Sequence, residues 1–298
     1  MRRFATRVGP TEDHVLILGP PGSGKGYLAR ILHELSPRAE GPFVPKNCGV
    51  FTASLAEAQL FGHMRGAYTG ATDSKPGVVE AAEGGTLFLD EFGALPPTVQ
   101  AMFLNFLETR QFNRMGSTSI RESDARLIAA TNRDLGAAIA EGKFREDLVA
   151  RLSFYYEVPP LRERRGEIAG IVDRYLRANG VRLELTGNAM LRLRSYEWPG
   201  NIRQLLHVLR YCTRFAEDGL IGADLVEDGI LNQQIVAKGS SEEVATRPVP
   251  KSDEEMKREL VEALEATGGN KSAAARLMGI HRSTLYRRLE RFGGRLVD

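Results

Sequence analysis

The sequence contains 298 residues, of which 42% are hydrophobic and 26% are charged, and its net charge is +2. This composition is that of an ordinary globular protein and excludes a disordered or collagen-like chain, and no apolar run approaches the ~20 residues of a transmembrane helix. Cys48 and Cys212 fit neither a zinc site nor a disulfide framework, and the N-terminus lacks the apolar block of a signal peptide. We therefore expect a cytoplasmic protein that makes no membrane contact and has about two domains.

Four short apolar runs in the first half of the chain predict strands. They are residues 14–18 (HVLIL), 86–89 (TLFL), 126–130 (RLIAA) and 154–158 (FYYEV). Segments with helical periodicity separate these runs, and such alternation predicts an α/β fold with a parallel sheet and crossover helices. Pro159 and Pro160 end this region, which we assign to residues 1–160.

The second half of the chain has a different texture. Residues 161–235 are predicted to be helical, most clearly at 168–176 and 202–215. Residues 236–252 are polar and contain two prolines, which predicts a linker. Residues 253–298 return to helical periodicity, and from Gly268 onward they carry seven basic and only two acidic residues.

A glycine-rich segment follows the first predicted strand and precedes a helical pattern at 27–35. It consists of Gly19, Pro20, Pro21, Gly22, Ser23, Gly24, Lys25 and Gly26. This context is the one that the G-x-x-x-x-G-K phosphate loop requires, in which backbone N–H groups surround phosphate and Lys25 reaches the β- and γ-phosphates. Gly26 stands where the pattern has a Ser or Thr that touches Mg²⁺, so metal binding would depend on water and on a downstream acid.

Two further predicted strands end in polar side chains. Asp90 and Glu91 follow the run at 86–89, and ligands bind at the carboxyl ends of parallel strands. Asp90 is placed to hold Mg²⁺ through water, and Glu91 to polarise an attacking water as a general base. Thr131 and Asn132 follow the next run, and either could position the same water.

The chain resembles the AAA+ activators of sigma-54-dependent transcription, also called bacterial enhancer-binding proteins. The most specific match is Gly66, Ala67, Tyr68, Thr69, Gly70 and Ala71, which we call the GAYTGA loop. It corresponds to the family's GAFTGA loop, with Tyr68 in the place of the phenylalanine, and its glycines permit a tight turn that presents an aromatic tip. The resemblance implies a P-loop ATPase with a helical lid, in which this loop contacts sigma-54.

Other motifs match the same family in order along the chain. Asn47 resembles the switch residue that holds the catalytic glutamate, and Arg203 resembles the lid arginine that senses nucleotide. Arg145 and Arg151 resemble two arginines that act in trans on a neighbouring subunit's phosphate. They are six positions apart and would not share one helical face, so a bend or a helix start is expected between them. Taken singly, each arginine is as well explained by a surface salt bridge.

The C-terminal segment at 269–289 resembles a Fis-type helix-turn-helix. Ala274, Leu277 and Met278 form a predicted apolar stripe on its first helix, and Leu285 and Leu289 a buried face on its second. The predicted DNA contacts are Arg282, Ser283, Thr284, Tyr286 and Arg287. Residues 253–267 resemble the helix with which the family dimerises this module. The alternative is a charged helical hairpin that does not bind DNA.

The leading hypothesis is an activator that binds ATP and Mg²⁺ and remodels sigma-54 RNA polymerase from an upstream double-stranded DNA site. The resemblance implies that it assembles into a homo-oligomeric ring, a hexamer. Only 18 residues precede Gly19, too few for a receiver or sensor domain, so we expect control by a separate regulatory protein or by expression level. The alternative is a DNA-binding regulator with impaired or lost ATPase activity, which Gly26 favours. A replication-type AAA+ loader would have the nucleotide site without the GAYTGA loop.

Overall fold

The computed structural model describes residues 1–49, 53–216, 219–242 and 253–278, together with Leu285, Tyr286 and Leu289. The chain divides into two compact units. The first comprises Met1–Arg165 and Glu197–Gln204, and the second comprises Gly166–Tyr196 and Leu205–Asp298. The helices of the described residues include none with the length and apolarity to cross a bilayer.

The first unit alternates strands and helices, as the apolar runs predict. Its helices are α1 (Arg2–Val8), α2 (Lys25–Glu34), α3 (Ala53–Phe61), α4 (Val78–Ala81), α5 (Pro97–Thr109), α6 (Leu135–Ala140) and α7 (Glu146–Ala150). Its strands are β1 (Val15–Leu18), β2 (Phe43–Asn47), β3 (Gly62–His63), β4 (Lys75–Pro76), β5 (Thr86–Asp90), β6 (Gln111–Asn113), β7 (Ile120–Glu122), β8 (Arg126–Thr131) and β9 (Phe154–Glu157). Short 3-10 helices occur at Phe92–Ala94 and Leu161–Glu167.

Five parallel strands form the central sheet in the order β2-β5-β8-β1-β9. All four strands predicted from apolar runs lie in it, which confirms the α/β fold. The register pairs Leu18 with Thr131 and Asn47 with Asp90, so the carboxyl ends of these strands share one edge. All six residues of β8 are buried, as expected for an interior parallel strand.

Helices cover both faces of the sheet because successive strand residues point to opposite sides. Ile17 and Ile128 pack in one buried cluster with Leu28 and Leu32 of α2. Their neighbours Leu16 and Leu127 belong to a second cluster on the other face, with Phe61, Phe92 and Phe103 among its members.

The first helix is tied to the sheet through Arg126, whose side chain is only 1% exposed. Its guanidinium donates to the carbonyls of Val8 and Gly9, each at 3.0 Å, and to that of Asp13. The ring of Phe4 packs on Tyr156 with centroids 4.6 Å apart. The residues before the phosphate loop therefore form a packed part of this unit.

The second unit is mainly helical. Its elements are α8 (Ile168–Ala178), β10 (Glu184–Leu185), α9 (Gly187–Ser195), α10 (Asn201–Phe215), β11 (Leu220–Ile221), α11 (Ala223–Glu242), α12 (Asp253–Ala266) and α13 (Lys271–Leu277), with the first residues of α10 belonging to the first unit. Helix α11 continues to Glu242, whereas the composition predicted a linker from residue 236. Polar composition predicts exposure rather than loss of helix, and the prolines at 248 and 250 come later in the chain.

The C-terminal helices share a small apolar core. Leu260 and Leu264 of α12 pack with Ala274 of α13 and with Leu285, and Leu289 packs against this cluster. The predicted burial of Leu285 is confirmed. The predicted stripe on α13 is wrong at Leu277, which is 63% exposed, because Ala274 and Ala275 supply the face that α12 covers.

Candidate functional site

The glycine-rich loop connects β1 to α2 in a conformation that depends on glycine. Gly19, Gly22 and Gly24 have φ values of +140°, +72° and +101°, which L side chains rarely adopt. A Cβ atom at Gly22 would also lie 2.6 Å from the carbonyl oxygen of Gly200. The loop thus combines left-handed backbone with close approach of a second segment, and helix α2 begins at Lys25 directly after it.

Lys25 lies inside this loop, with 7% of its surface exposed. Its ammonium donates to the carbonyls of Gly19 at 2.9 Å and Pro20 at 3.2 Å. Burial lowers the pKa of the Lys25 ammonium, and the nearby carboxylates of Asp90 and Glu91 act in the opposite direction. The lysine and both predicted acids therefore share one electrostatic environment.

The loop fits the phosphate chain of a nucleotide. Ser23 Oγ is buried and has no hydrogen-bond partner among the described residues, so it is available to a phosphate oxygen. Gly26 has no side-chain oxygen, and the described part of the chain contains no group of three or more His, Cys, Asp or Glu side chains placed to hold a metal ion. Asp90 is the acid that would hold Mg²⁺ alongside phosphate oxygens and water.

Asp90 and Glu91 stand at the end of β5, beside the end of β2. Glu91 is in the left-handed region at φ +57°, and its N–H donates to Asp90 Oδ1 at 3.0 Å. Asn47 Oδ1 accepts the N–H of Gly49 at 2.8 Å. A Cβ atom at Gly49 would lie 3.2 Å from Asn47 Oδ1 and 3.6 Å from Glu91 Cβ, so Gly49 lies between the two side chains. Asn47 is thus beside Glu91 and bonds to the intervening backbone.

The two polar residues after β8 have different surroundings. Thr131 is fully buried, its backbone pairs with Leu18 before the phosphate loop, and its Oγ1 accepts the N–H of Arg133 at 3.1 Å. Asn132 is exposed.

Arg145 and Arg151 flank the five-residue helix α7, which confirms a helix start between them. Both side chains are about half exposed and paired within the chain, Arg145 with Asp147 at 2.6 Å and Arg151 with Glu108. Each arginine therefore makes the surface salt bridge that the alternative interpretation predicted.

Arg203 lies beside the phosphate loop, since a Cβ atom at Gly22 would be 3.0 Å from Arg203 Cβ. It belongs to residues 197–204, which the sequence analysis placed with the lid and which the structure groups with the α/β unit. Trp198 in this segment is 1% exposed and is one of the largest fully buried side chains.

The GAYTGA loop projects from a hairpin that β3 and β4 close. Gly66 and Gly70 have φ values of +80° and +98°, and the Gly66 N–H donates to the carbonyl of Ala71 at 2.9 Å. Tyr68 is not a free aromatic tip. Its ring packs edge-on against His63 with centroids 5.1 Å apart, so the loop exposes Thr69 and Gly70 instead.

A second hairpin, β6-β7, lies beside the GAYTGA loop and was not predicted. A Cβ atom at Gly116 in its turn would be 3.0 Å from Ala67 Cβ. Arg114 holds this hairpin by a bidentate ion pair with Glu80, the shortest contact being 2.7 Å. The turn residues Gly116 and Ser117 between two short segments were the available sequence signal.

Of the predicted DNA contacts, Arg282, Ser283, Thr284 and Arg287 lie outside the described residues. Tyr286 is described and is 37% exposed. The ammonium of Lys271 lies 5.4 Å from its ring centroid, a cation–π contact. The structure therefore describes one of the five predicted contacts.

Two residues that the sequence analysis did not assign to the site, Arg164 and Asn201, contact the phosphate loop. Asn201 is 3% exposed, and its Nδ2 donates to the carbonyl of Pro21 at 3.0 Å. Arg164 donates to the carbonyl of Ser23. Asparagine after a Pro-Gly pair, where left-handed backbone is common, was the only local signal for the first of these contacts.

Three protein families match successive parts of the chain. The sigma-54 interaction domain matches residues 1–156, the AAA+ ATPase lid domain matches residues 162–243, and the bacterial regulatory proteins of the Fis family match residues 256–292.

Curated relatives match over nearly the whole chain. The alginate biosynthesis transcriptional regulatory protein AlgB of Pseudomonas aeruginosa is 40% identical over 97% of this chain and 64% of its own length. The sigma54-dependent transcriptional regulator SfnR of Pseudomonas fluorescens is 39% identical over 98% of this chain and 85% of its own length. The chain thus spans less than two thirds of AlgB.

The structure of NtrX from Brucella abortus in complex with ADP has a TM-score of 0.69 and 33% identity to this chain, covering 97% of this chain and 66% of NtrX. The NtrX complex with ATP has a TM-score of 0.67 at 33% identity, covering 98% of this chain and 66% of NtrX. With its sigma-54 interaction domain, AAA+ lid and Fis-type helix-turn-helix, the chain belongs to the AAA+ family of sigma-54-dependent transcriptional regulators.

Proposed function

We propose that this chain hydrolyses ATP to remodel sigma-54 RNA polymerase at a promoter, and that residues 253–298 bind double-stranded DNA at an upstream site. The observation that carries the proposal is the arrangement of the α/β unit. It combines a phosphate loop around the buried Lys25, two acids in the same electrostatic environment, and an exposed loop at Thr69 that contains no catalytic group.

Each residue of the nucleotide site has a defined task in this proposal. Lys25 exchanges its loop carbonyl acceptors for the β- and γ-phosphates. Glu91 accepts a proton from the attacking water, which Thr131 or Asn132 orients. Asp90 would hold Mg²⁺, which supplies charge neutralisation on the phosphate oxygens when bound.

The arginines extend the site to a neighbouring subunit. In a homo-oligomeric ring, proposed to be hexameric, Arg145 and Arg151 reach the γ-phosphate bound by the next subunit, while Arg203 contacts nucleotide in its own chain. Their present partners are exposed carboxylates, and exposed ion pairs exchange readily because water screens them.

We assign residues 1–160 to nucleotide binding, 161–235 to the lid and 253–298 to DNA binding. Residues 236–252 connect the last two, with helix α11 occupying this connection as far as Glu242.

The second candidate is a DNA-binding regulator without useful ATPase activity, which the absence of a side-chain oxygen at Gly26 favours. A steady-state ATPase assay together with open-complex formation on a sigma-54 promoter distinguishes the two. We expect hydrolysis by the parental protein, loss of hydrolysis in Lys25→Ala, and promoter opening only with hydrolysable ATP. A parental protein that binds promoter-upstream DNA but hydrolyses no ATP would establish the second candidate.

DNA binding can be tested through Arg287 on the predicted recognition helix. If Arg287 meets a phosphate, Arg287→Ala should weaken DNA binding and reduce the slope of log affinity against log salt by about 1. Arg177→Ala is the matched control, since Arg177 is an exposed arginine of α8 that pairs with Asp173. Parental affinity and slope in Arg287→Ala would exclude Arg287 as a contact.

A further inference from the structure

Three backbone carbonyl groups of the phosphate loop accept hydrogen bonds from donors that are distant in sequence, whereas those of Gly19 and Pro20 accept from Lys25 within the loop. The carbonyl of Pro21 accepts a hydrogen bond from Asn201 Nδ2 at 3.0 Å. The carbonyl of Ser23 accepts one from Arg164 Nη2. Both hydrogen bonds are partly buried, and a carbonyl that water reaches poorly needs a donor from the protein, which these two side chains supply.

The carbonyl of Gly22 is held in the same way, by the backbone N–H of Ile202 at 3.0 Å. Three successive carbonyls of the loop are therefore fixed from outside. We call the three donors, Arg164, Asn201 and the Ile202 N–H, the carbonyl clamp.

Asn201 is suited to its place by backbone and side chain together. Its φ is +52°, in the left-handed region where asparagine is enriched among residues other than glycine. While its Nδ2 donates to Pro21, its Oδ1 accepts the N–H of Leu161 at 2.8 Å. An amide is required, because no carboxylate can both accept the one hydrogen bond and donate the other.

Arg164 makes a comparable bridge. Its Nε donates to the carbonyl of Pro159 at 3.1 Å while its Nη2 reaches Ser23. The planar guanidinium directs its donors along fixed lines, so the carbonyl at Pro159 determines where the second donor points.

The clamp controls the direction of the N–H groups that meet phosphate. In a planar trans peptide, the carbonyl of one residue and the N–H of the next point in opposite directions. Holding the Pro21 and Ser23 carbonyls outward therefore directs the N–H groups of Gly22 and Gly24 inward. Glycine has more backbone freedom than any other residue, so Gly22 and Gly24 restrict these directions little by themselves. Among the described residues, neither N–H has a hydrogen-bond acceptor.

We propose that Arg164 and Asn201 are positioning residues of the nucleotide site. By fixing two outward carbonyls, they keep the N–H groups of Gly22 and Gly24 directed at the phosphate chain of bound nucleotide. This inference rests on the proposed binding of ATP at the loop. Loss of either donor leaves a carbonyl unsatisfied, and the glycine-rich backbone rotates to find another partner.

Nucleotide affinity tests the proposal with variants that remove one donor at a time. Asn201→Asp keeps the acceptor for the Leu161 N–H and removes the donor to Pro21, and Arg164→Met removes the donor to Ser23. We expect each to weaken binding of a fluorescent ATP analogue about tenfold, near the upper worth of one hydrogen bond. Arg164→Lys retains one charged donor and should recover part of the loss.

Arg165→Met is the matched control. Arg165 is the adjacent arginine, and its side chain donates to the carbonyl of Arg162 and pairs with Glu197 at the surface. We expect parental affinity from this variant. Parental affinity in both Asn201→Asp and Arg164→Met would overturn the proposal.

Hydrogen exchange in the nucleotide-free protein separates positioning from a general loss of stability. The clamp variants should speed exchange in peptides covering residues 19–28 and leave exchange in β8 unchanged. Equal acceleration in both regions, or in neither, would contradict a positioning role. If the parental protein bound no ATP, the proposed function would fail, and the exchange comparison would still decide whether the clamp orders the loop.

Discussion

Glu91→Gln is expected to keep ATP binding and to lower the ATPase rate by about 10²-fold or more, the usual worth of a positioned general base. The amide has nearly the shape of the carboxylate and can still accept the hydrogen bond of a water, but it cannot take the proton. The Glu91 carboxylate is a negative charge near the Lys25 ammonium, where the phosphates would also bind. Removing that charge should therefore not abolish phosphate binding. Single-turnover hydrolysis and equilibrium binding of ATP, measured on the same preparation, separate the two effects.

The control for this change is Glu83→Gln. Glu83 is an exposed carboxylate of the same unit, in the turn before β5, and its loss should leave hydrolysis unchanged. Parental hydrolysis by Glu91→Gln would show that another group, or the nucleotide itself, takes the proton.

Thr69→Ala is expected to separate ATP hydrolysis from transcription activation. Thr69 is exposed at the end of a closed hairpin, and Tyr68 beside it is held by His63. Removing a hydroxyl and a methyl from such a position should change the free energy of unfolding by no more than about 0.5 kcal/mol. Ring assembly and ATPase activity should therefore survive, while capture of sigma-54 in the presence of ADP and aluminium fluoride, and open-complex formation, should be lost.

All three activities should be measured on one preparation, with Thr6→Ala as the control. Thr6 is an exposed threonine of α1, so the same atoms are removed outside the loop. Open complexes formed by Thr69→Ala at the parental rate would mean that the threonine is not the coupling contact. The activator proposal would then lose its most specific support.

Local patterns in the sequence predicted much of the fold and several residues of the site. The alternation of apolar runs predicted four of the five strands of the central sheet, and the glycines before Lys25 predicted the loop that connects β1 to α2. The acids at the end of β5 were predicted from position alone. These features depend on residues adjacent in the chain, because strand periodicity, glycine turns and strand ends are local properties.

The tertiary structure decided which distant groups meet. Asn201 lies 180 positions from Pro21, and Arg164 lies 141 positions from Ser23, yet both hold the phosphate loop. No spacing rule could pair them, since their proximity depends on the sheet order and on the path of residues 197–204 back to the α/β unit.

Burial was decided in the same way. The glycines of the GAYTGA loop predicted a turn, but only the fold placed His63 where it covers Tyr68. Leu277 fits an apolar helical stripe by sequence and is exposed, because burial requires a neighbour as well as a pattern. The sequence specifies the secondary structure that each segment prefers. The packing of elements far apart in the chain determines which side chains form the site.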